Sequence, residues 1–131
     1  MASLVPNVGK AVISGRMYGA TPTQQEPHWI GWGTGATAGS ATSTDLSTPA
    51  TEARANGTSS QFTTTNANDT HQILGTLTAT GAKTITNVGV FDAAGSGSPP
   101  AGGVLYAIFD GLSQALNSGD SIQLTCRVQY T

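Results

Sequence analysis

The tightest constraint on the fold lies near the C-terminus, where Ser121-Ile-Gln-Leu-Thr-Cys-Arg-Val-Gln-Tyr130 alternates without a break. Ile122, Leu124, Cys126, Val128 and Tyr130 fall on one side of an extended chain, and Ser121, Gln123, Thr125, Arg127 and Gln129 on the other. That period of two is the signature of a strand with one buried and one wet face. The preceding Asn117-Ser-Gly-Asp120 is a turn signal, with Gly119 suited to positive φ and Asp120 able to bond its own backbone.

Weaker copies of the pattern recur upstream. Val8, Lys10 and Val12 interleave with Gly9, Ala11 and Ile13; Phe62 sits among threonines; Ile73, Gly75 and Leu77 share a side. Ile85, Val88 and Val90 are spaced by three and then two, which predicts one strand over 84–91 with a bulge near Asn87. Residues 104–109 form an apolar run too short for an ordinary helix. Leu112 and Leu116, bounded by turn residues, read as a loop that tucks two leucines over the core, and Asn56-Gly57 reads as a tight turn. The sum is about seven short β segments. The predicted fold is all-β, an antiparallel β-sandwich or jelly-roll-like barrel with long Gly/Thr/Ala-rich loops.

A chain of 131 residues accommodates one core, so residues 1–131 are expected to form a single β domain. Residues 31–51 are almost free of large side chains after Trp32 and are long for a connection; they are expected either to be mobile or to act as an extended arm against a neighbouring subunit. Residues 93–103 read as an exposed loop.

Charge is scarce. Asp, Glu, Lys and Arg make up 9% of the chain, against roughly 25–35% for an ordinary soluble surface. The five cations are scattered among seven acids, so no basic footprint for nucleic acid is present. No stretch approaches the roughly 20 apolar residues that cross a bilayer, and the N-terminal residues do not resemble a secretory signal. Synthesis and folding in a cytoplasm are expected.

Motifs for chemistry are weak. Cys126 is the single cysteine, and His28 and His71 have no metal-ligand spacing around them, so no metal or cofactor is expected. The glycines lack phosphate-binding spacing, no nucleophile elbow is present, and no catalytic residue is assigned. Asn56-Gly-Thr58 and Asn68-Asp-Thr70 satisfy the glycosylation pattern by chance in a threonine-rich chain. The chain is read as a non-enzyme.

The residues singled out are instead contact candidates. Alternation separates Trp29 from Trp32, so one tryptophan is expected in the core and the other as an interface anchor or lid. Trp29, Trp32, Tyr18 and Tyr106 also suit stacking on sugar rings. Glu52 and Arg54, two apart, are candidates for an inter-subunit ion pair or are simply solvated.

Several ordered blocks resemble small structural proteins of tailed bacteriophages: Trp29-Ile-Gly-Trp-Gly-Thr-Gly-Ala-Thr-Ala38, the segment from Thr44 through Glu52 to Arg54, Asn68-Asp-Thr-His-Gln-Ile-Leu-Gly-Thr-Leu77, and Ile85-Thr-Asn-Val-Gly-Val-Phe-Asp92. The resemblance covers residues 28–130. It departs where Glu52 and Arg54 stand closer than in the family pattern, and where His28-Trp29 replaces the usual tyrosine. The resemblance implies a capsid decoration (cement) protein, β-rich and homotrimeric, that binds the major capsid protein on the outer virion surface and bridges its subunits. The alternative it leaves open is a tail-fibre or baseplate-associated protein that binds a receptor or carbohydrate.

Overall fold

The computed structural model describes residues 2–18 and 24–131. The chain runs β1 (Ala2–Leu4), α1 (Asn7–Tyr18), β2 (Trp29–Gly33), β3 (Ala55–Asn56), β4 (Thr58–Phe62) and β5 (Thr70–Thr78). It continues through β6 (Lys83–Ile85), β7 (Asn87–Phe91), β8 (Leu105–Asp110), β9 (Gln114–Leu116) and β10 (Ser121–Gln129). These strands form three separate sheets with orders β1-β8-β7-β2-β3, β10-β5-β4 and β6-β9, and every pairing between them is antiparallel.

The sheets are open and none closes or curls into a barrel, which corrects the expected jelly-roll-like barrel or two-sheet sandwich. The physical cause is visible at Thr86. Residues 84–91 do not make one bulged strand, because the Thr86 amide bonds the Gly33 carbonyl at 3.0 Å and its hydroxyl turns to the Gly35 carbonyl. The chain therefore leaves the two-stranded sheet at Ile85 and enters the five-stranded sheet at Asn87. Asn56-Gly57 is a second crossing and not a turn. Gly57 donates to the His28 carbonyl at 2.8 Å, and a Cβ there would lie 2.7 Å from both that oxygen and the Ile73 side chain. Glycine lets the chain pass from β3 in one sheet to β4 in the next.

The strand read over Val8 to Ile13 is α1. Its first turn closes with Lys10 donating to the Pro6 carbonyl at 3.0 Å, and Arg16 lies in its last turn, where a cation complements the helix dipole. Val8, Gly9, Val12 and Ile13 share a face at helical spacing, a pattern that a count by twos conceals. Gly9 and Val12 are buried. The contact of α1 with β8 depends on Gly9, since a Cβ there would overlap the Tyr106 carbonyl oxygen. Among the described residues no helix is long and apolar enough to cross a membrane.

β7 is buried along its whole length and β8 along all but its last residue, because both lie inside the five-stranded sheet with both faces covered. This is why residues 104–109 read as a continuous apolar run. One face packs Ile30, Trp32, Val88, Val90, Tyr106 and Phe109 against Ile73, Leu77 and Cys126 of the three-stranded sheet. The other carries Phe91, Leu105 and Ile108 under Leu46. Leu46 belongs to the small-residue segment, which returns onto its own domain: Thr34 and Gly35 donate to Thr48 and Ser47, and Gly39 donates to the Asp110 carboxylate at 2.7 Å. The stretch read as a leucine-bearing loop contains β9, which pairs with β6 and buries Leu116.

Gly9→Ala improves helix propensity by up to about 1 kcal/mol yet forces α1 off β8. A net loss of about 1–3 kcal/mol is expected from overpacking, seen as a lower thermal midpoint. Gly15→Ala meets only the flexible end of Gln24 and should leave the midpoint unchanged or raised.

Candidate functional site

Three of the four contact candidates face inward. Trp32 is 2% exposed, Arg54 7% and Glu52 8%; Trp32 and Glu52 converge where the sheets meet, and Arg54 lies against Phe91. The Glu52 carboxylate accepts from the Trp32 indole N–H at 3.1 Å, from the Thr80 amide at 2.9 Å, from the Thr80 hydroxyl at 3.0 Å, and from the Lys83 ammonium. Desolvation works to raise its pKa, but the hydrogen bonds from Lys83, Thr80 and Trp32 outweigh it and hold the group at about 2. The carboxylate is therefore ionised throughout the neutral range.

Arg54 forms the neighbouring clamp. Its guanidinium stacks on the Phe91 ring, 3.5 Å from the centroid, while Nη1 donates to the carbonyls of Ala93 at 2.9 Å and Gly102 at 2.7 Å. It ties the segment that leads into β3 to both ends of the 93–103 loop. Glu52 and Arg54 thus engage separate partners, and the expected pairing between subunits is replaced by internal contacts. Trp29 is half-buried, with His28 packed against it at 5.3 Å between ring centroids. Of the four aromatics suited to sugar stacking, Trp32 and Tyr106 are buried.

The remaining carboxylates follow the same habit. Asp45 accepts from the Leu46 amide, Asp92 from Val104, Asp110 from Gly39, and Asp120 from Asn117. Asp69 accepts from the amides of Thr64, Thr65 and Asn66, and these bonds hold its pKa well below the usual carboxylate range. With Glu52 on Thr80, six of the seven acids bond a main-chain N–H. Scattered acids in Gly/Thr/Ser-rich loops were the available signal for this arrangement, because such loops carry backbone amides that lack ladder partners.

A cleft that sequence reasoning missed lies beside α1. It has a volume of about 410 Å³ and is lined by Val12, Ile13 and Met17 on one side and by His71, Tyr106 and Tyr130 on the other. His71 Nε2 lies 2.7 Å from the Ser59 hydroxyl, its Nδ1 lies 3.4 Å from the Tyr106 hydroxyl, and Tyr106 bonds Tyr130. Burial lowers the His71 pKa and favours the neutral ring, while burial and the Tyr130 contact raise that of Tyr106. Ser59 and His71 have the geometry of a hydroxyl and its base, but the group hydrogen-bonded behind the imidazole is a phenol that stays protonated, and the charge of Glu26, which favours an imidazolium, is outweighed by burial.

The Cys126 thiol is buried and pushed up to about 12 by that burial, which makes it unreactive. Among the described residues no group of three His, Cys, Asp or Glu side chains is placed to hold a metal ion. Comparison with protein-family models, with curated proteins and with solved structures finds no match to this chain.

Glu52→Gln is expected to destabilise the fold by about 3 kcal/mol at neutral pH, the order found when one partner of a buried ion pair is removed. The carboxyl ordinarily titrates near 4.5 and here near 2, so its contribution is complete above about 4.5 and is lost as pH falls through 2. Denaturant melts at pH 7 and pH 2 should show the gap between wild type and variant shrinking in acid. Arg54→Lys keeps the charge but cannot both stack on Phe91 and reach two carbonyls. A loss of about 1.5–3 kcal/mol is expected, with faster amide exchange in residues 93–103.

Proposed function

We propose that this chain is a structural module of a tailed-phage particle that binds the outer surface of the capsid and bridges major capsid subunits. The observation that carries the reading is the placement of charge: six of seven carboxylates bond backbone amides, and Arg54 and Lys83 are taken up inside. The outer face of the three-stranded sheet carries Thr58, Ser60, Thr76, Thr78, Ser121, Gln123 and Thr125, which are neutral hydroxyl and amide groups, with Leu74 among them and one cation, Arg127, laid over Phe62 and bonded to Gln72. Such a face docks through many short contacts that are individually weak and become strong when repeated over a lattice.

The phage resemblance supports the same reading in a particular way. Its blocks fall on β2, on the Glu52 and Arg54 segment, on β5 and on β6 with β7, which are the pieces that build the junction between sheets. What the resemblance shares is thus a scaffold and not a reactive centre. A docking role needs that scaffold and nothing more.

Purified protein should co-sediment with expanded capsids that lack it and raise their melting temperature. Failure to bind any form of its own capsid would remove the proposal, and saturable binding to host-cell glycans would favour the tail-associated alternative.

A further inference from the structure

β10 is nine residues long and paired on one side only, at the end of the sheet order β10-β5-β4. The terminal strands of the five-stranded sheet, β1 and β3, have three and two residues, and β4 has five. Short outer strands are one of the ordinary defences against pairing with another chain; a long one without proline or an outward charge is a template for it. β10 contains no proline. Its one charged side chain, Arg127, is folded back across the sheet, bonded to Gln72 at 2.7 Å and lying 3.9 Å over the Phe62 ring, away from the open edge.

Burial along β10 points the same way. Ile122, Leu124 and Val128 face the core yet remain half-buried, because among the described residues no strand pairs beyond β10 to complete the cover. Beside the strand are open grooves of about 460 Å³, between Leu4, Val5 and Val128, and about 400 Å³, between Ser3, Phe109 and Thr125. The edge is exposed in backbone, incomplete in side-chain cover, and has room alongside it.

We infer that β10 pairs antiparallel with β10 of a second copy about a two-fold axis at Thr125, joining two three-stranded sheets into one of six strands. The sequence is self-complementary about that residue. Pairing centred there sets Ile122 opposite Val128 and Leu124 opposite Cys126 on the core side, with Gln123 opposite Arg127 and Ser121 opposite Gln129 outside. It places no like charges face to face. It is also the register that engages all nine residues, and a register centred between residues would turn the apolar set outward. A two-fold contact needs one self-complementary surface, which β10 supplies; a closed trimer would need two different matching surfaces on each copy. The inference rests on the edge strand alone and is independent of capsid binding.

The test is sedimentation velocity on the full chain from about 10 µM to about 1 mM, the range in which weak dimers resolve. Wild type should shift from monomer to dimer. Thr125→Lys puts two cations opposite each other in the pair while staying on the exposed outer face of the monomer, and should weaken dimerisation roughly fivefold, with recovery in high salt. Thr125→Cys should form an intermolecular disulfide under mild oxidation at least about tenfold faster than Ser121→Cys, since only the former sets the introduced thiols opposite one another. Unchanged far-ultraviolet circular dichroism confirms that each variant folds. A monomer at every concentration, a trimer, a dimer indifferent to Thr125→Lys, or equal cross-linking at both positions would overturn the inference.

Discussion

The Glu52 carboxylate is where the three sheets meet, and the rest of the architecture depends on it. Its partners are Trp32 in the five-stranded sheet, Thr80 just beyond the end of β5 in the three-stranded sheet, and Lys83 in the two-stranded one. Sheets that neither close nor share a strand have no hydrogen-bond ladder between them, so beyond the main-chain crossings at Gly57 and Thr86 their relative placement has to come from side chains. Apolar packing of Ile30, Val90, Ile73 and Leu77 supplies most of the driving force but little direction, because hydrophobic contact is indifferent to small rotations. An ionised carboxylate with four donors at fixed angles is not indifferent. Burying an ion pair adds little net stability by itself; here its effect is to select one arrangement of three sheets from many of similar apolar area.

The same logic extends to the loops. Small side chains let backbones approach closely, as at Gly57 between His28 and Ile73, but they leave loops with few side-chain anchors. Six of the seven acids compensate by taking main-chain amides. Asp69 gathers three of them in residues 64–66, and Asp110 reaches the Gly39 amide across 71 positions of sequence. Low charge is therefore not a shortage in this chain. Most ionised groups have a definite mechanical task, and neutral hydroxyls and amides outnumber the few exposed charges on the surface.

How much of this was legible depended on whether the deciding force was local. β10 was visible because its alternation is a property of ten adjacent residues, and β8 because burial on both faces leaves an uninterrupted apolar run. The helix was hidden because Val8 and Val12 satisfy periods of both two and four, and the surface it packs on, where Gly9 lies against the Tyr106 carbonyl, is far along the chain. The break at Thr86 was read as a bulge because spacing registers an irregularity without saying whether the strand bends or changes sheet. Glu52 and Arg54 were recognised as unusual from the scarcity of charge around them. Their inward direction was not readable, since it follows from Lys83, Trp32 and the Ala93 and Gly102 carbonyls, none of them near in sequence.

Open sheets carry an inherent tension: every outer strand that helps build the core also exposes unpaired backbone. Three of the outer strands here resolve it by being short or by carrying threonine, serine and glutamine. β10 cannot be shortened in the same way, because Ile122, Leu124, Cys126 and Val128 extend the apolar face of β5 within the cluster that holds Phe109 and Val88. A strand that must be long for the core is therefore long at the edge as well. Its regular alternation then serves two ends with one pattern, fixing the register with β5 inside the protomer and leaving the same alternation of apolar and polar residues along its free edge.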